Sequence, residues 1–244
     1  MSRRIEHYAR DTLTDEVIRA RTAHANRMLA EELPDDPPLI IEDAVKRMRN
    51  LPSPSRIQTW IVRDRDAVIA DATLGWAELP TNRELARVGV SVDPAYRGKG
   101  LGPHLMSLAV ARAIELGRPI LMASSSDRVP AGGRFLSRLG LEPGRESHVN
   151  QLVLDRLDRA LVARWREEGG RRATGYALEL WDGPVPDDRI EAFAELANVM
   201  NGEPRGSLII EDTTVTPQMI REGDAFLFSN GSRRLISVTR HTPS

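Results

Sequence analysis

Apolar residues alternate between two rhythms along the first 155 positions. Over residues 15–29 they recur every three to four positions, the helical period, with Asp11 or Thr14 placed to cap the start. A second helix is predicted after Glu42. Residues 58–63 and 67–79 carry strand patterns joined by the charged turn Asp64-Arg65-Asp66, residues 85–92 add a β-branched strand, and a short strand precedes them near 5–9. Residues 103–116 read as a helix, with Pro103 in its first turn and Gly117 just past its end. The continuously apolar run 119–123 predicts a central strand buried on both faces, 132–139 a helix, and 150–154 a last strand. Together these elements make an α/β pattern.

Part of that pattern occurs twice. Asp15, Ile18, Ala20, Ala25, Asn26 and Met28 recur 172 positions on as Asp187, Ile190, Ala192, Ala197, Asn198 and Met200. Leu39-Ile40-Ile41-Glu42-Asp43 recurs letter for letter as Leu208-Ile209-Ile210-Glu211-Asp212, at an offset of 169. Agreement in order, spacing and identity predicts a duplicated domain. The expected organisation is a first domain over 1–155, a helical linker over 156–174, and a second copy over 175–244. The linker carries Leu157, Leu161 and Trp165 at a spacing of four, as an amphipathic helix would. The second copy opens with a strand at 175–181 and places another at 234–240, in the position of 58–63. It stops near the counterpart of position 70, leaving roughly 85 residues of the repeat without a second copy. The expectation is therefore an incomplete second domain, cut short, with an open strand edge. Such a half-domain persists by packing on the first domain, on its own rearranged strands, or by self-association with another copy.

Composition narrows the function classes. Among 244 residues the formal net charge is −1, which gives no electrostatic footprint for nucleic acid or an anionic membrane. No apolar run approaches the ~20 residues of a transmembrane helix. The basic residues at the N-terminus have no apolar stretch behind them, so no signal peptide is read there and a cytoplasmic location is expected. The chain has no cysteine, which excludes disulfides, thiolate zinc sites and a cysteine nucleophile. His7, His24, His104, His148 and His241 lack metal-ligand spacing and most read as surface residues, so no metal is expected. The four tryptophans read as packing residues, and no G-x-S-x-G elbow is present.

The chemistry concentrates at the end of the fourth strand, 85–92. Val90-Ser91-Val92 is followed by Asp93-Pro94, which ends the strand because proline cannot continue a ladder. Arg97-Gly98-Lys99-Gly100-Leu101-Gly102-Pro103 then leads directly into the apolar helix. Glycines at such a turn let the backbone approach a ligand and aim N–H groups at it. The helix N-terminus adds roughly half a positive charge, and Arg97 and Lys99 add full ones. The combination predicts a pyrophosphate site, against the plainer reading of a basic turn ahead of a core helix. A dinucleotide fingerprint fails, because Gly98 and Gly100 call for glycine at 103, which is proline; a P-loop is absent too.

Arg97, Gly100 and Gly102 fill the pattern R-x-x-G-x-G after V-x-V-x-P, which resembles the pyrophosphate motif of the GNAT (Gcn5-related N-acetyltransferase) superfamily. Residues 132–141 also resemble that family's later F-Y-x-x-x-G-F segment. The duplication is similar to the tandem GNAT arrangement of actinobacterial mycothiol synthase-like proteins. The resemblance implies a GNAT fold, with a mixed, mostly antiparallel central sheet flanked by helices. It implies acetyl-CoA as acyl donor, with Val90, Ser91 and Val92 along the pantetheine arm and Arg97, Gly98, Lys99, Gly100, Leu101, Gly102 and Pro103 at the pyrophosphate. The implied activity is N-acetyl transfer to a small-molecule amine by direct attack on the thioester. Backbone N–H near Val92 would polarise the carbonyl. Candidate bases are Glu84, just before the central 85–92 strand, and Glu78, at the end of the preceding one; each also reads as a solvated surface acid.

One position departs from the family. A tyrosine that often protonates the leaving thiolate falls at Leu136. That leaves Ser124, Ser125, Ser126, Ser137 or a water as the acid, or unaided departure of a thiol of pKa near 8.5. It also opens a second reading, a catalytically degenerate acyl-CoA-binding domain with a structural or regulatory role. Acceptor choice would fall to the loops around 29–38 and 79–83, where Glu31, Glu32, Asp35 and Asp36 are acidic.

Overall fold

The period-2 strands meet in one sheet because each has a face to bury. In the computed structural model, which describes residues 4–242, β1 (Ile5–Ala9), β2 (Ser55–Asp64), β3 (Ala67–Ala77), β4 (Leu85–Val92) and β5 (Ile120–Met122) lie in that order. Residues 1–3 and 243–244, the outer ends of the two expected domains, lie outside the described residues. The first four strands pair antiparallel and β5 joins β4 parallel, a mixed, mostly antiparallel sheet. Contacts divide the chain into unit 1, Met1–Gly144 with Arg205–Thr213, and unit 2, Arg145–Pro204 with Thr214–Ser244. The expected boundaries were 155 and 175.

Alternation along β2 sends neighbouring side chains to opposite faces. Trp60 and Val62 join Leu74, Val88, Leu105 and Ala109 on the side of α3 (Leu101–Glu115), which is followed by α4 (Pro130–Arg138). Ile61 joins Leu13, Val17, Ile18, Val45 and Val68 on the other side, under α1 (Asp15–Glu32) and α2 (Ile41–Arg49). Each such aliphatic side chain contributes about 1.5–3 kcal/mol on burial. Thr14 caps α1 by accepting from the Val17 amide at 3.3 Å.

Unit 2 contains α5 (Arg159–Arg172), β6 (Tyr176–Asp182), α6 (Ile190–Asn198), α7 (Pro217–Ser229) and β7 (Leu235–His241), with β6 and β7 paired antiparallel. The order β6–α6–α7–β7 repeats β1–α1–α2–β2. One pair of side-chain contacts repeats with it. Asn26 exchanges two hydrogen bonds with the backbone of Leu39, at 3.0 and 2.7 Å. Asn198, its counterpart, makes the same pair with Val215, at 3.1 and 2.7 Å.

Several expectations are corrected. The 119–123 run forms only the three-residue β5, half-buried at the sheet edge, because it has a partner in β4 alone. Residues 150–154 form no strand; Val149, Leu152 and Val153 are exposed, and an apolar run without a partner edge has no ladder to join. Helix α5 starts at its Asp158 cap, runs through Gly169 and Gly170, and buries nothing, with Trp165 exposed. The letter-for-letter repeat has two structural roles. Ile41 begins α2, whereas Leu208–Asp212 is irregular and sits within unit 1. There the Glu211 backbone exchanges hydrogen bonds with the Asn82 side chain at 2.9 and 3.1 Å, and its carboxylate accepts from the Asn82 amide.

Candidate functional site

Strands β4 and β5 pair only from Leu85–Ile120 to Arg87–Met122 and then part. From Val88 to Val92, β4 keeps its ladder to β3 but has no partner on the β5 side. The gap is a narrow cleft of about 50 Å³, walled by Val88, Val90, Met106, Ser124, Phe135 and Leu136. Gly102 lies at its rim, where an added Cβ would stand 3.5 Å from the Phe135 ring.

The chain leaves β4 through Asp93, whose carboxylate accepts from the Ala95 amide at 3.3 Å, and a single 3₁₀ turn over Pro94–Tyr96. Gly98 and Gly100 then adopt φ of +73° and +81°, a conformation that costs an L-residue about 1–2 kcal/mol. Alternating the backbone this way turns successive amides toward one side, an anion-binding nest. Among the described residues the N–H groups of Gly98 and Gly100 meet no acceptor, and Leu101 and Gly102 follow as the open first turn of α3. Pro103 has no N–H to leave unsatisfied. A Cβ at Gly98 or Gly100 would meet nothing within 4 Å, so the loop borders open space. This arrangement fits a diphosphate group: free donors, a helix N-terminus, and room.

The two cations of the loop are turned inward. Arg97 donates from Nε to the Val92 carbonyl at 2.9 Å and from both Nη atoms to the Glu31 carboxylate at 2.6 and 2.5 Å. That fork holds the Glu31 carboxyl below the usual carboxylate range. Lys99 donates to the Ala95 carbonyl at 2.8 Å and lies over the Tyr96 ring.

Ser91 faces the α1 side of β4, where a polar chain runs through the core. His24 is 1% exposed, an exception among histidines expected mostly at the surface. Arg27 Nη2 donates to its Nδ1 at 3.4 Å, so Nε2 carries the proton and donates to Ser91 Oγ at 2.7 Å. Ser91 donates in turn to Asp71 at 2.6 Å, and Arg21 also donates to Asp71 at 2.8 Å. Burial pushes the His24 pKa down. A signal for this burial was present, since His24 stands seven residues, two helical turns, after Val17 on the buried stripe of α1.

Glu78 and Glu84 are not brought to the cleft. Glu78 pairs with Arg56 at 2.6 Å and is half exposed. Glu84 is exposed at the foot of β4, about 13 Å along the strand from Val88. Leu136 does line the cleft. A larger cavity of about 540 Å³, bordered by Arg10, Gln58 and Trp76, lies where β2 starts and β3 ends, away from the loop. No group of three metal-ligating side chains occurs among the described residues, and no helix is long and apolar enough to cross a membrane.

Residues 23–140 match the sequence model of the Acetyltransferase (GNAT) family. The match is just under half of the chain and runs from the middle of α1 to the end of α4. Among solved structures, a tandem GNAT protein from the clavulanic acid biosynthesis pathway is 21% identical, with a TM-score of 0.65 over 98% of this chain and 70% of that one. A predicted acetyltransferase from Clostridium acetobutylicum, solved with acetyl-CoA, is 15% identical with a TM-score of 0.45, covering 64% of this chain and 100% of that one. A GCN5-related N-acetyltransferase from Ralstonia eutropha JMP134 is 18% identical with a TM-score of 0.44, covering 62% and 99%. No curated protein matches the chain. The family match and the tandem neighbour support the superfamily, and the fold of the chain is a GNAT fold, matched along 98% of its length by the tandem neighbour.

Proposed function

We propose that unit 1 transfers an acetyl group from acetyl-CoA to a small-molecule amine. The observation that carries this reading is the set of open amides at Gly98, Gly100 and the first turn of α3, at the mouth of the cleft where β4 and β5 part. The family match over residues 23–140 supports it. In this reading the nest and the N-terminus of α3 hold the diphosphate. The unpaired edge of β4 from Val88 to Val92 offers backbone groups to the amides of the pantetheine arm. Bound acetyl-CoA supplies an activated thioester. The amine lone pair forms the new C–N bond as the C–S bond breaks, the thiolate departs, and the amine gives up a proton. Val88, Val90, Met106 and Phe135 keep water from the thioester, and a backbone N–H near Val92 polarises its carbonyl. Neither expected base reaches the cleft, Glu78 being tied to Arg56 and Glu84 exposed at the foot of β4, so in this reading the amine's proton passes to solvent water.

Leu136 favours a second reading. It lines the cleft and has no proton to give, as expected of an acyl-CoA-binding domain without turnover. One experiment separates the two. Purified protein is titrated with acetyl-CoA by calorimetry and assayed for release of coenzyme A thiol against a panel of primary amines. Binding with release supports transfer, binding without release across the panel supports the second reading, and absence of binding sinks both.

A further inference from the structure

We propose that Glu31 sets the affinity for the diphosphate-bearing donor by holding Arg97 away from it. This rests on the acetyl-CoA reading of the loop. Glu31 stands in the last turn of α1, a turn with no basic residue, where the negative end of the helix dipole disfavours a carboxylate. A residue placed against local preference at a functional loop points to a role other than stability. Both its oxygens are taken by the Arg97 fork, and Arg97 Nε is taken by the Val92 carbonyl. The guanidinium beside the nest is therefore bound toward α1 and β4, and its charge is cancelled by its partner. Lys99 is likewise turned onto Ala95 and Tyr96. The free loop thus offers a diphosphate its amides and the charge of Lys99, but not that of Arg97. Arg97 and Glu31 are each 31% exposed, so an incoming anion can reach the pair and compete for the guanidinium. Glu31 lowers affinity for donors that carry a diphosphate, speeds their release, and is indifferent to donors that lack it.

Calorimetry with two probes tests this, coenzyme A and pantetheine, the second lacking the diphosphate. Glu31→Gln frees Arg97 while keeping size and helix propensity, and should tighten coenzyme A binding about fivefold, the scale of a partly exposed ion pair. Pantetheine binding should not change. Glu31→Asp keeps the charge but is too short to hold the fork fully, and should fall between the two. A thermal melt for each variant confirms that the fold is retained. Coenzyme A affinity that is unchanged or weaker in a folded Glu31→Gln variant overturns the proposal, as does equal tightening of pantetheine. Wild-type protein that binds no coenzyme A sinks the reading of the loop itself, whereas wild-type binding without a gain in the variant sinks only the role of Glu31.

Discussion

The segment β1–α1–α2–β2 of unit 1 and the segment β6–α6–α7–β7 of unit 2 run in the same order, pair their strands antiparallel, and clasp the chain after the first helix with the same asparagine. Their interiors differ. All buried apolar residues among those described lie in unit 1 except Val185 and Ala194. In unit 2 Tyr176, Leu178 and Leu180 point from β6 into solvent, and a buried carboxylate, Asp224, holds the centre. It accepts from the Val185 amide at 3.2 Å, from Arg221 at 3.3 Å and from Arg234, whose buried Nε finds no partner. The segment of unit 1 is covered because β3 pairs with β2 and α3 packs on the sheet; β7 has only β6. A shared local plan is therefore compatible with very different burial. Apolar cover and the glycine loop both come from the part of unit 1 that follows β2.

The largest expected effect is at that loop. Gly100→Asp forces a non-glycine residue to a φ of +81° and puts a negative charge in the open space beside the free amides. Strain and repulsion together should weaken acetyl-CoA binding about 100-fold, or about 3 kcal/mol. Unchanged affinity by calorimetry would remove the loop from the comparison as a functional element.

Core substitutions test the contrast in burial. Leu74→Ala in unit 1, at a position with no exposure, should cost about 3 kcal/mol. Leu180→Ala in unit 2, at a position 68% exposed, should change stability by about 0.5 kcal/mol or less. Denaturant melts showing similar costs would mean that the β6 face is covered in solution. Asp224→Ala should cost about 2 kcal/mol within unit 2, because it leaves the partly buried Arg234 without a counter-charge and the Val185 amide without its acceptor. Amide exchange in β6 and β7 reads it out, and exchange at wild-type rates there would show that unit 2 does not depend on this ionic centre.

The sequence made the first four strands of unit 1 and the helices after β4 legible, because there apolar period and local turn chemistry agree. The glycine loop was legible for the same reason: Gly98 and Gly100 occupy the positions that need positive φ. What failed had a non-local cause. Whether 119–123 lies at the centre or the edge depends on what pairs beyond it, and whether 150–154 forms a strand depends on a partner edge. The inward turn of Arg97 depends on Glu31, 66 residues away, and the burial of His24 on the Ser91–Asp71 pair across the core. Identity of letters also misled at 208–212, where the same five residues as 39–43 meet Asn82 instead of starting a helix.

The buried chain in unit 1 has a pH signature of its own. Burial holds the folded-state pKa of His24 below its unfolded value of about 6.5. The unfolded state therefore binds the extra proton first. Stability is full above about pH 6.5 and falls as pH drops from there toward the depressed folded pKa. Arg21 and Arg27 oppose protonation of the ring, while Asp71 and Asp93 favour it. Urea melts from pH 7.5 to 5 should show the loss in wild type and a flatter profile in His24→Gln. Identical profiles would mean that the decline comes from other groups.

The smallest expected effect bears on the plan the units share. Asn26 and Asn198 each close a turn by donating to a carbonyl and accepting from an amide of the same downstream residue, Leu39 or Val215. Asn26→Ala and Asn198→Ala each remove two side-chain bonds at sites solvent can reach, so water replaces part of the loss and each should cost about 1–2 kcal/mol. The comparison turns on their ratio, read by amide exchange at Leu39 and Val215. Nearly equal costs would show that the clasp acts locally, independent of the apolar cover that differs between the units. A cost confined to Asn26 would show that the clasp counts only where β3 and α3 already hold the sheet, and that in unit 2 the same contact forms without restraining the chain.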